Sequence, residues 1–557
     1  MVIQPIIDLV SLCAQKGIKN AILSPGSRCA PITLAFARHS EIKCRTVSDE
    51  RAAAFIAMGM AQQLNQPVAL VCTSGSAAYN YAPAVAEAYF QQIPLLVITA
   101  DRPAEWIDQW DGQTIRQPQI YGKHVKGSFD FPDEFSKTDK VWHAQRMVNE
   151  AINLSIQFPA GPVHLNIPLR EPFYPEVDEQ FEFKPVKNIE VFASESYISP
   201  TQETQLEEKL KVFQKILIIP GQQRPDAETQ ESINLLASSG KAVVVTDTIS
   251  NLQSAHTISF HDHFIGNSSI QEQLQPDLIV SFGNSIISKS LKLFLRNSTA
   301  AHWHVQDAGY SPDTFQSLTT VINVAPISFL KFLNLKLLQN QKYFTQWKSL
   351  DNLVKKSLTV ALNKADFGEY KAISKVLNVT PDHAKIHLAN SMSVRYVNFL
   401  GSRNQEIICN RGTSGIDGSN STAVGCSFTT KDPVTLITGD MAFFYDRNAF
   451  WHNYSTPNLR IVILNNHAGG IFRLIDGPAR QPELEEFFET NQALTAENLA
   501  KDFGFEYIVA NDDESLEKGL NEFYSESIAP KILEIISESP KNAEILKKIK
   551  EMVASSL

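Results

Sequence analysis

Residues 434–440 have the sequence Val-Thr-Leu-Ile-Thr-Gly-Asp, an apolar run that ends in glycine and aspartate. Such a run predicts a strand that is buried on both faces, as the strands of parallel sheets are. Residues 442–451 have a helical pattern, and a second apolar run, residues 459–464, ends in Asn465-Asn466. A strand, a helix and a strand in this order predict a parallel βαβ unit. Asp440 and Asn466 should therefore lie at the carboxyl ends of neighbouring strands, where open parallel sheets bind ligands.

The same alternation of strands and helices occurs along the rest of the chain. Further strands are predicted at residues 20–23, 68–72, 95–99, 163–167, 215–220, 242–246, 278–282, 406–410 and 531–535. The predicted fold class is α/β, with three doubly wound parallel-sheet domains at residues 1–175, 200–338 and 383–557, the first and third of similar architecture. Residues 173–202 have the composition of a linker, and residues 339–381 form a linker or a helical stretch.

The composition excludes several classes of protein. The chain has 557 residues, and its 50 basic and 60 acidic residues give a net charge of −10 without a dense basic run, so a nucleic-acid binder is not expected. The six cysteines have no zinc-binding spacing and are typical of reduced thiols in a cytoplasmic protein. Residues 1–19 lack the basic segment of a signal peptide, and no apolar stretch is long enough to predict a membrane span.

The residues at the two strand ends suit a metal ion that carries a diphosphate. Mg²⁺ or Mn²⁺ prefers oxygen ligands that are shared between the protein and phosphate groups. The side chains of Asp440 and Asn466 and the carbonyl group of Ala468 would supply such oxygens. Gly439 lets a diphosphate approach the backbone, and the start of the next helix favours its negative charge. Each motif alone is more often an ordinary turn, but together they indicate a cofactor site.

A carboxylate far upstream suits the other end of the same cofactor. Glu50 follows Ser48-Asp49, either of which can cap a helix, and precedes an apolar helical pattern at residues 52–58. A glutamate in this first turn could merely complement the helix dipole. Combined with the metal motif, it indicates thiamine diphosphate, whose aminopyrimidine needs a carboxylate at N1′ to form its imino tautomer. The cofactor itself then supplies the chemistry next to a carbonyl group.

Four motifs carry a resemblance to a known family. They are Ser-Pro-Gly-Ser-Arg at residues 24–28, Thr-Ala-Asp-Arg-Pro at 99–103, Gln-Thr-Ile-Arg-Gln-Pro at 113–118 and Asn-Arg-Gly-Thr-Ser-Gly-Ile-Asp-Gly at 410–418. With the cofactor residues, they make the chain resemble thiamine-diphosphate enzymes of the pyruvate-decarboxylase and acetolactate-synthase type. Within that group, it is most similar to the 2-succinyl-5-enolpyruvyl-6-hydroxy-3-cyclohexene-1-carboxylate synthase family of menaquinone biosynthesis.

The resemblance implies a domain order, a reaction and an assembly. The domains would be a pyrimidine-binding domain, a degenerate central domain and a diphosphate-binding domain. The reaction would decarboxylate 2-oxoglutarate and add the remaining succinyl unit to isochorismate in a 1,4 fashion, with Glu50 as the catalytic residue. Each active site would take Glu50 from one subunit and Asp440 from another, so the protein would be a homodimer or a dimer of dimers.

The resemblance also implies roles for individual residues. The metal ligands would be Asp440, Asn466 and Ala468. The cofactor-binding residues would be Glu50, Thr73, Ser74, Gly75, Ser414, Ile416, Gly439, Asp440, Met441, Asn466, Ile471 and Phe472. The substrate-binding residues would be Ser27, Arg28, Arg102, Gln113, Lys289, Ser391, Arg395, Arg411, Ile471, Phe472 and Ile475.

The arginines in this set suit dianionic substrates, because a guanidinium group binds a carboxylate through two hydrogen bonds. An arginine is, however, more often part of a surface ion pair. Ser391 and Arg395 are four residues apart in a helical pattern at residues 388–400, so they would share one face. Ile416 would hold the two cofactor rings in a V, and Ile471, Phe472 and Ile475 would form an apolar wall.

Two positions depart from the family pattern. The family's central-domain Lys-Arg pair is Lys289-Ser290 here, and Gly112 stands where an asparagine often precedes Gln113. Two alternatives remain: a thiamine-dependent decarboxylase or carboligase for another 2-oxo acid, and a non-catalytic nucleotide-binding protein of the same architecture. No Gly-x-Gly-x-x-Gly motif is present, so neither FAD nor NAD is expected.

Overall fold

The computed structural model describes residues 3–176 and 179–557, and its strands form three sheets. The first sheet contains β1 (Asn20–Leu23), β2 (Lys43–Thr46), β3 (Val68–Cys72), β4 (Leu95–Asp101), β5 (Ser128–Asp130) and β6 (Val163–Pro168). The second contains β7 (Ile216–Pro220), β8 (Val243–Val244), β9 (Leu278–Phe282), β10 (Ala301–Val305) and β11 (Leu318–Ile322). The third contains β12 (Lys385–Leu388), β13 (Glu406–Cys409), β14 (Val434–Gly439), β15 (Leu459–Asn465), β16 (Glu506–Ala510) and β17 (Lys531–Ile536).

Helices connect the strands and cover both faces of the sheets. The first domain has α1 (Gln4–Gln15), α2 (Ala30–Arg38), α3 (Glu50–Leu64), α4 (Ser76–Asn80), α5 (Ala82–Gln91) and α6 (Thr138–Ile156). Around the second sheet lie α7 (Pro200–Leu210), α8 (Ala227–Ser238), α9 (Ser268–Leu274), α10 (Lys289–Arg296) and α11 (Pro326–Lys336), followed by α12 (Gln341–Lys364) and α13 (Glu369–Val379). The third domain has α14 (Met392–Phe399), α15 (Ser419–Ser427), α16 (Asp440–Tyr445), α17 (Asp476–Ala479), α18 (Glu497–Phe503), α19 (Asp513–Phe523) and α20 (Ser539–Ala554).

The first and third sheets have the same topology. The strand order is β2-β1-β3-β4-β6-β5 in the first sheet, β11-β10-β9-β7-β8 in the second and β13-β12-β14-β15-β17-β16 in the third. With the strands of each sheet numbered along the chain, the first and third orders are both 2-1-3-4-6-5. The strand pairings are parallel throughout, so the predicted α/β fold with three doubly wound sheets is confirmed.

Six strands were missed by the sequence analysis: β2, β5, β10, β11, β12 and β16. Four of them, β2, β5, β11 and β16, are edge strands with partly exposed residues, so they have no continuous apolar run. The other two are interrupted by histidine or lysine, as in Ala-His-Trp-His-Val of β10.

Some predicted boundaries were wrong. The helix predicted at residues 442–451 begins at Asp440, ends at Tyr445 and is followed by a short 3₁₀ helix, Arg447–Phe450. The helical pattern at residues 388–400 gives a helix only from Met392, because residues 385–388 form β12. Residues 339–381 are helical, in α12 and α13. Of the predicted linker, residues 177 and 178 lie outside the described residues, and residues 179–199 contain no helix or strand.

Helix α3 of the first domain crosses α15 of the third domain at close range. A Cβ atom at Gly59 would lie 2.1 Å from the carbonyl oxygen of Thr422, and one at Gly425 would lie 2.1 Å from that of Ile56. Each helix therefore needs glycine where it meets the backbone of the other. Because Glu50 begins α3 and the 410–418 motif precedes α15, this crossing also fixes the positions of these two segments of one chain relative to each other.

Among the described residues, none of the helices combines the length and the apolar composition that crossing a membrane would require. All six cysteines are free, and five of them are buried.

Candidate active site

The predicted metal ligands lie at adjacent strand ends. Strands β14 and β15 pair with Gly439 opposite Leu464, so their carboxyl ends are side by side. Asp440 begins α16 directly after β14 and is only 2% exposed. Asn466 follows β15, and its Oδ1 accepts a hydrogen bond from Ala468 N at 3.0 Å. The structure thus brings the three predicted ligands to one edge of the third sheet.

A second buried carboxylate lies beside this edge. Glu369, the first residue of α13, accepts a hydrogen bond from Asn466 Nδ2 at 2.6 Å. Burial, and then the nearby charge of Asp440, raises the pKa of Glu369 to about 7. The sequence analysis missed this residue, which stands 71 positions before Asp440 in a helix without a motif.

The buried carboxylate of Asp440 also has no positively charged partner among the described residues. Gln492 Nε2 donates a hydrogen bond to its Oδ2 at 2.7 Å, but burial raises the pKa of Asp440 to about 6. Neither Asp440 nor Glu369 forms an ion pair with a basic side chain in the part of the chain that the structure describes. A cation beside these two buried carboxylates would stabilise their ionised forms.

The backbone beside Asp440 is open to a ligand. A Cβ atom at Gly439 would meet no other atom within 4 Å. Met441 follows in the first turn of α16, and its backbone N–H lies within hydrogen-bonding reach of the Asp440 carboxylate. This arrangement leaves room at the strand end for the diphosphate that the sequence predicts.

The 410–418 loop is held in place from two directions. Glu87 of α5, in the first domain, accepts hydrogen bonds from Gly412 N at 2.7 Å and from Thr413 N at 2.6 Å. Asn390 Nδ2 donates to two carbonyl oxygens of the loop, at 2.6 and 2.7 Å. Glu87 is 1% exposed, so a buried carboxylate of one domain fixes a loop of another. It too was missed, because its partners are more than 300 positions away.

The predicted apolar wall is partly exposed. Ile416, in the 410–418 loop, is 39% exposed, and Ile475 is 41% exposed. Ile471 and Phe472 lie in the 3₁₀ helix Gly470–Leu474 and are half-buried. Ser414 is exposed and has a positive φ of 62°.

Glu50 lies where the sequence predicts it, in the first turn of a buried helix. Asp49 is the N-cap of α3, with its side chain accepting a hydrogen bond from Ala52 N at 3.0 Å. On either side of Glu50 the chain is tied to the third domain, since Asn448 Nδ2 donates to Asp49 at 2.7 Å and Arg51 donates to the Tyr445 carbonyl at 2.8 Å. The Glu50 side chain forms no hydrogen bond to another described residue, and the residue is half-buried. Its carboxylate is therefore free to bind a ligand.

The loop after β3 contacts the loop that contains Gln113. Ser74 Oγ donates a hydrogen bond to the Gln113 carbonyl at 2.9 Å, and Gly75 N donates to Gln117 Oε1 at 3.1 Å. Gly75 has a φ of 84°, which favours glycine, and it approaches Gln113 closely. Thr73 and Ser74 are buried, whereas Gln113 is exposed. These contacts place the predicted cofactor and substrate residues of the first domain together.

Arg28 and Arg102 form a cationic pair in the first domain. Arg28 is 6% exposed, donates a hydrogen bond to the Leu169 carbonyl at 2.7 Å and lies over the Phe173 ring. Burial, and then the charge of Arg102, lowers the pKa of Arg28. Arg102 forms an ion pair with Asp111 at 2.6 Å, as an arginine with a structural role would.

The remaining residues of this edge are accessible. Ser27 is exposed beside Arg28. Gly112 is one of the two departures from the family pattern, and its carbonyl oxygen accepts a hydrogen bond from Arg102 at 2.9 Å.

A second cationic cluster lies in the third domain. Arg395 donates a hydrogen bond to the Ser391 carbonyl at 2.6 Å, and Arg411 donates to Asn390 Oδ1 at 2.8 Å. Burial, and then the charge of Arg411, lowers the pKa of Arg395. Within the described ranges neither arginine pairs with a carboxylate, so the surface ion pair considered in the sequence analysis does not apply to them. Lys289, at the start of α10, is exposed.

Comparison with family models supports a three-part organisation. Residues 8–120 match the N-terminal thiamine pyrophosphate (TPP) binding domain of thiamine pyrophosphate enzymes. Residues 192–388 match the middle domain of these enzymes, and residues 390–535 match their C-terminal TPP binding domain. The match to the N-terminal TPP binding domain covers Glu50, Ser74 and Arg102, which follow strands of the first sheet. The match to the C-terminal TPP binding domain covers Arg411, Asp440 and Asn466, which follow strands of the third sheet.

Curated relatives extend over the whole chain. A protein of Cytophaga hutchinsonii named 2-succinyl-5-enolpyruvyl-6-hydroxy-3-cyclohexene-1-carboxylate synthase is 45% identical, over 99% of each chain. Proteins with the same name from Christiangramia forsetii and Flavobacterium johnsoniae are 39% and 38% identical, each over 97% of both chains.

Proposed function

This chain belongs to the family of 2-succinyl-5-enolpyruvyl-6-hydroxy-3-cyclohexene-1-carboxylate synthases, and we propose that it catalyses the reaction for which those relatives are named. It decarboxylates 2-oxoglutarate and adds the remaining succinyl unit to isochorismate in a 1,4 fashion, in menaquinone biosynthesis. The observation that carries this proposal is identity of 45% over 99% of the chain to a relative of that name.

The residues of the third domain fit thiamine diphosphate with Mg²⁺ or Mn²⁺. Asp440, Asn466 and the Ala468 carbonyl would hold the metal, because the buried carboxylates of Asp440 and Glu369 have no basic partner among the described residues. Gly439 and Met441 would contact the diphosphate through their backbone. When bound, the cofactor supplies the nucleophilic carbon and accepts the electron pair that the departing CO₂ leaves behind.

Glu50 would bind the aminopyrimidine ring at N1′. A carboxylate at this atom stabilises a proton there, and hence the tautomer whose exocyclic nitrogen accepts a proton from the reacting carbon. The free, half-buried carboxylate at the start of α3 supports this role.

The two cationic clusters would each serve one dianionic substrate. Arg411 lies in the 410–418 loop, which also carries Ile416, and Arg395 is bonded to Ser391, next to the Asn390 that binds this loop. We therefore assign both arginines to the 2-oxo acid that must bond to the cofactor. Arg28 and Arg102, with Ser27 and Gln113, would bind isochorismate. Ile471, Phe472 and Ile475 would cover the reacting groups from water.

We further propose a cytoplasmic homodimer or dimer of dimers in which each site combines Glu50 of one subunit with Asp440 of the other. The partial exposure of Ile416 and Ile475 supports this assembly, because these apolar side chains would be covered by a partner and the bound cofactor.

A direct assay tests the proposal. The protein is mixed with thiamine diphosphate, Mg²⁺, 2-oxoglutarate and isochorismate, and the product is identified by mass. We expect a product equal to the sum of both substrates minus CO₂. Release of CO₂ from a different 2-oxo acid, without that product, would instead favour another thiamine-dependent carboligase. Size-exclusion chromatography with light scattering tests the assembly, and a monomer with full activity would contradict it.

A further inference from the structure

Glu369 is a buried carboxylate that contacts one of the proposed metal ligands and is itself neither a ligand nor a substrate-binding residue. It begins α13 and is 2% exposed. Its Oε1 accepts a hydrogen bond from Asn466 Nδ2 at 2.6 Å, and the Tyr396 hydroxyl also lies within hydrogen-bonding reach of the carboxylate. Among the described residues, no basic side chain forms an ion pair with it. Burial of a carboxylate without a basic partner costs stability, so packing alone does not explain Glu369.

The hydrogen bond from Asn466 determines which end of its side-chain amide is free for a metal. The amide has an NH₂ group that only donates and an oxygen with two lone pairs. An ionised carboxylate only accepts, so Glu369 binds the NH₂ group and leaves Oδ1 directed away from itself. Oδ1 accepts a hydrogen bond from Ala468 N at 3.0 Å, which uses one lone pair and leaves the other for a cation. The hydrogen bond donated to Glu369 also makes the amide oxygen a more basic ligand.

A closed series of hydrogen bonds holds Glu369 in a fixed position relative to Asn466. The Glu369 N–H donates to Asn542 Oδ1 of α20 at 3.1 Å, and Asn542 Nδ2 donates to Ser537 Oγ at 2.9 Å. Ser537 N in turn donates to the carbonyl oxygen of Asn465, the residue before Asn466, at 2.9 Å. The carboxylate and the amide that it binds are therefore both attached to the carboxyl end of β15, one through the chain and the other through α20.

A glutamate at the start of a helix can also serve only to complement the helix dipole. Glu497, the first residue of α18 in the third domain, fits that description, because it is exposed and forms an ion pair with Lys501 at 2.8 Å. Glu369 differs from Glu497 in being buried and in binding the amide of Asn466 rather than a basic side chain. Glu497 is therefore a matched control, with the same residue type at the same helix position but without contact to a proposed metal ligand.

We propose that Glu369 is a positioning residue for the metal, which holds the Asn466 amide with its oxygen free for the cation and so raises the affinity for Mg²⁺ in the presence of thiamine diphosphate. This inference rests on the assignment of the metal to Asp440, Asn466 and the Ala468 carbonyl under the proposed function. Glu369 acts through Asn466 and does not itself bind the metal, the cofactor or a substrate. Residues that orient a metal ligand in this way typically change metal affinity about 10- to 100-fold.

Calorimetric titration of Mg²⁺ into each variant, with thiamine diphosphate present and without substrates, tests this role. For Glu369→Leu, which removes the acceptor, we expect the Kd for Mg²⁺ to rise about 10- to 100-fold. Glu369→Gln keeps an acceptor oxygen of the same reach, so its Kd should lie between that of Glu369→Leu and that of the wild type. Glu497→Leu, the matched control, should bind Mg²⁺ as the wild type does.

The proposal is overturned if both Glu369 variants bind Mg²⁺ as tightly as the wild type, or if Glu497→Leu weakens binding equally. The Tm of each metal-free variant is measured as well. A merely structural role would lower this Tm, whereas we expect no decrease for Glu369→Gln, because the substitution removes a buried carboxylate without a basic partner. Glu369→Gln also repeats the test if Glu369→Leu does not fold. The titrations contain no substrate and product formation is assayed separately, so a wild type that binds Mg²⁺ but forms another product would contradict the proposed reaction and not the role of Glu369.

Discussion

The first and third sheets share the strand order 2-1-3-4-6-5 but carry different chemistry at equivalent strand ends. After the third strand, the first domain has Ser74, hydrogen-bonded to a neighbouring loop, whereas the third domain has the buried carboxylate of Asp440. After the fourth strand, the first domain has Arg102 and the third has Asn466.

The second strands differ in a complementary way. β2 leads to the acidic Glu50, and β13 leads to the basic Arg411. The same strand order thus presents Asp440, Asn466 and Arg411 in the third domain and Ser74, Arg102 and Glu50 in the first. In such a fold, the sheet determines where ligands can bind, while the residues just beyond each strand determine which ligands these are.

The largest expected effect is a loss of turnover and cofactor binding, and it should occur at the end of β14 but not at the equivalent end of β3. Asp440→Ala should lower kcat on the order of 1,000-fold, because the metal loses its charged ligand, and calorimetry should detect no tight binding of Mg²⁺–thiamine diphosphate. Ser74→Ala, at the equivalent position of the first domain, should change either quantity much less. Wild-type cofactor affinity in Asp440→Ala would show that the third domain does not hold the metal there.

Substitutions after the second strands, β2 and β13, should affect different kinetic constants. Glu50→Gln keeps the shape of the side chain but not its charge, so we expect kcat to fall about 100- to 10,000-fold, with cofactor affinity within about 10-fold of wild type. Arg411→Gln should instead act mainly on the KM for 2-oxoglutarate. Full turnover by Glu50→Gln would remove Glu50 from the mechanism.

A smaller effect should distinguish the two arginine clusters. Arg102→Ala is expected to raise the KM for isochorismate, and Arg395→Ala the KM for 2-oxoglutarate, each about 10- to 100-fold. Each variant serves as the control for the other in one set of initial-rate measurements. If both raise the KM of the same substrate, the division between the first and third domains is wrong.

The smallest expected effect is on the pH dependence of stability. It compares two equivalent positions, the residue directly after α16 in the third domain and the residue directly after α4 in the first. In the third domain this is Asp446, fully buried and bonded to Ser421 N at 2.7 Å, and burial raises its pKa from 3.8 to about 7. In the first domain it is Tyr81, whose hydroxyl donates to the Val71 carbonyl at 2.8 Å.

Because the folded state holds the Asp446 proton more tightly than the unfolded state, the free energy of unfolding should fall as pH rises from about 4 to 7. Asp446→Asn removes this titration, so its Tm relative to wild type should increase across that window. Tyr81→Phe should show a Tm difference that is independent of pH there. A Tm difference for Asp446→Asn that stays flat from pH 4 to 7 would mean that the carboxyl group is not protonated in the fold.

The sequence predicts those parts of the molecule whose signal is local. The run at residues 434–440 is apolar and ends in Gly-Asp, so both the strand and the position of Asp440 could be inferred from it. Edge strands such as β2 could not, because their side chains are half in solvent.

Site residues whose partners are distant in sequence leave no local signal. Glu369 is bonded to Asn466, 97 positions away, and Glu87 to Gly412, 325 positions away. Sequence patterns therefore predict the site residues that directly follow strands. They do not predict residues such as Glu369 and Glu87, whose bonds to the site form only when distant segments of the chain pack together.

The crossing of α3 and α15 has a consequence for protein engineering. Replacing helical glycines by alanine is a common way to raise thermal stability, with a gain of about 0.4–1 kcal/mol per compatible site. At Gly59 and Gly425 the added methyl group would overlap a backbone carbonyl oxygen at 2.1 Å, so the two helices would have to separate. A thermostabilisation programme guided by helix propensity alone would select both positions, and the separation of the two helices would displace Glu50 and reduce activity although neither glycine is a predicted site residue.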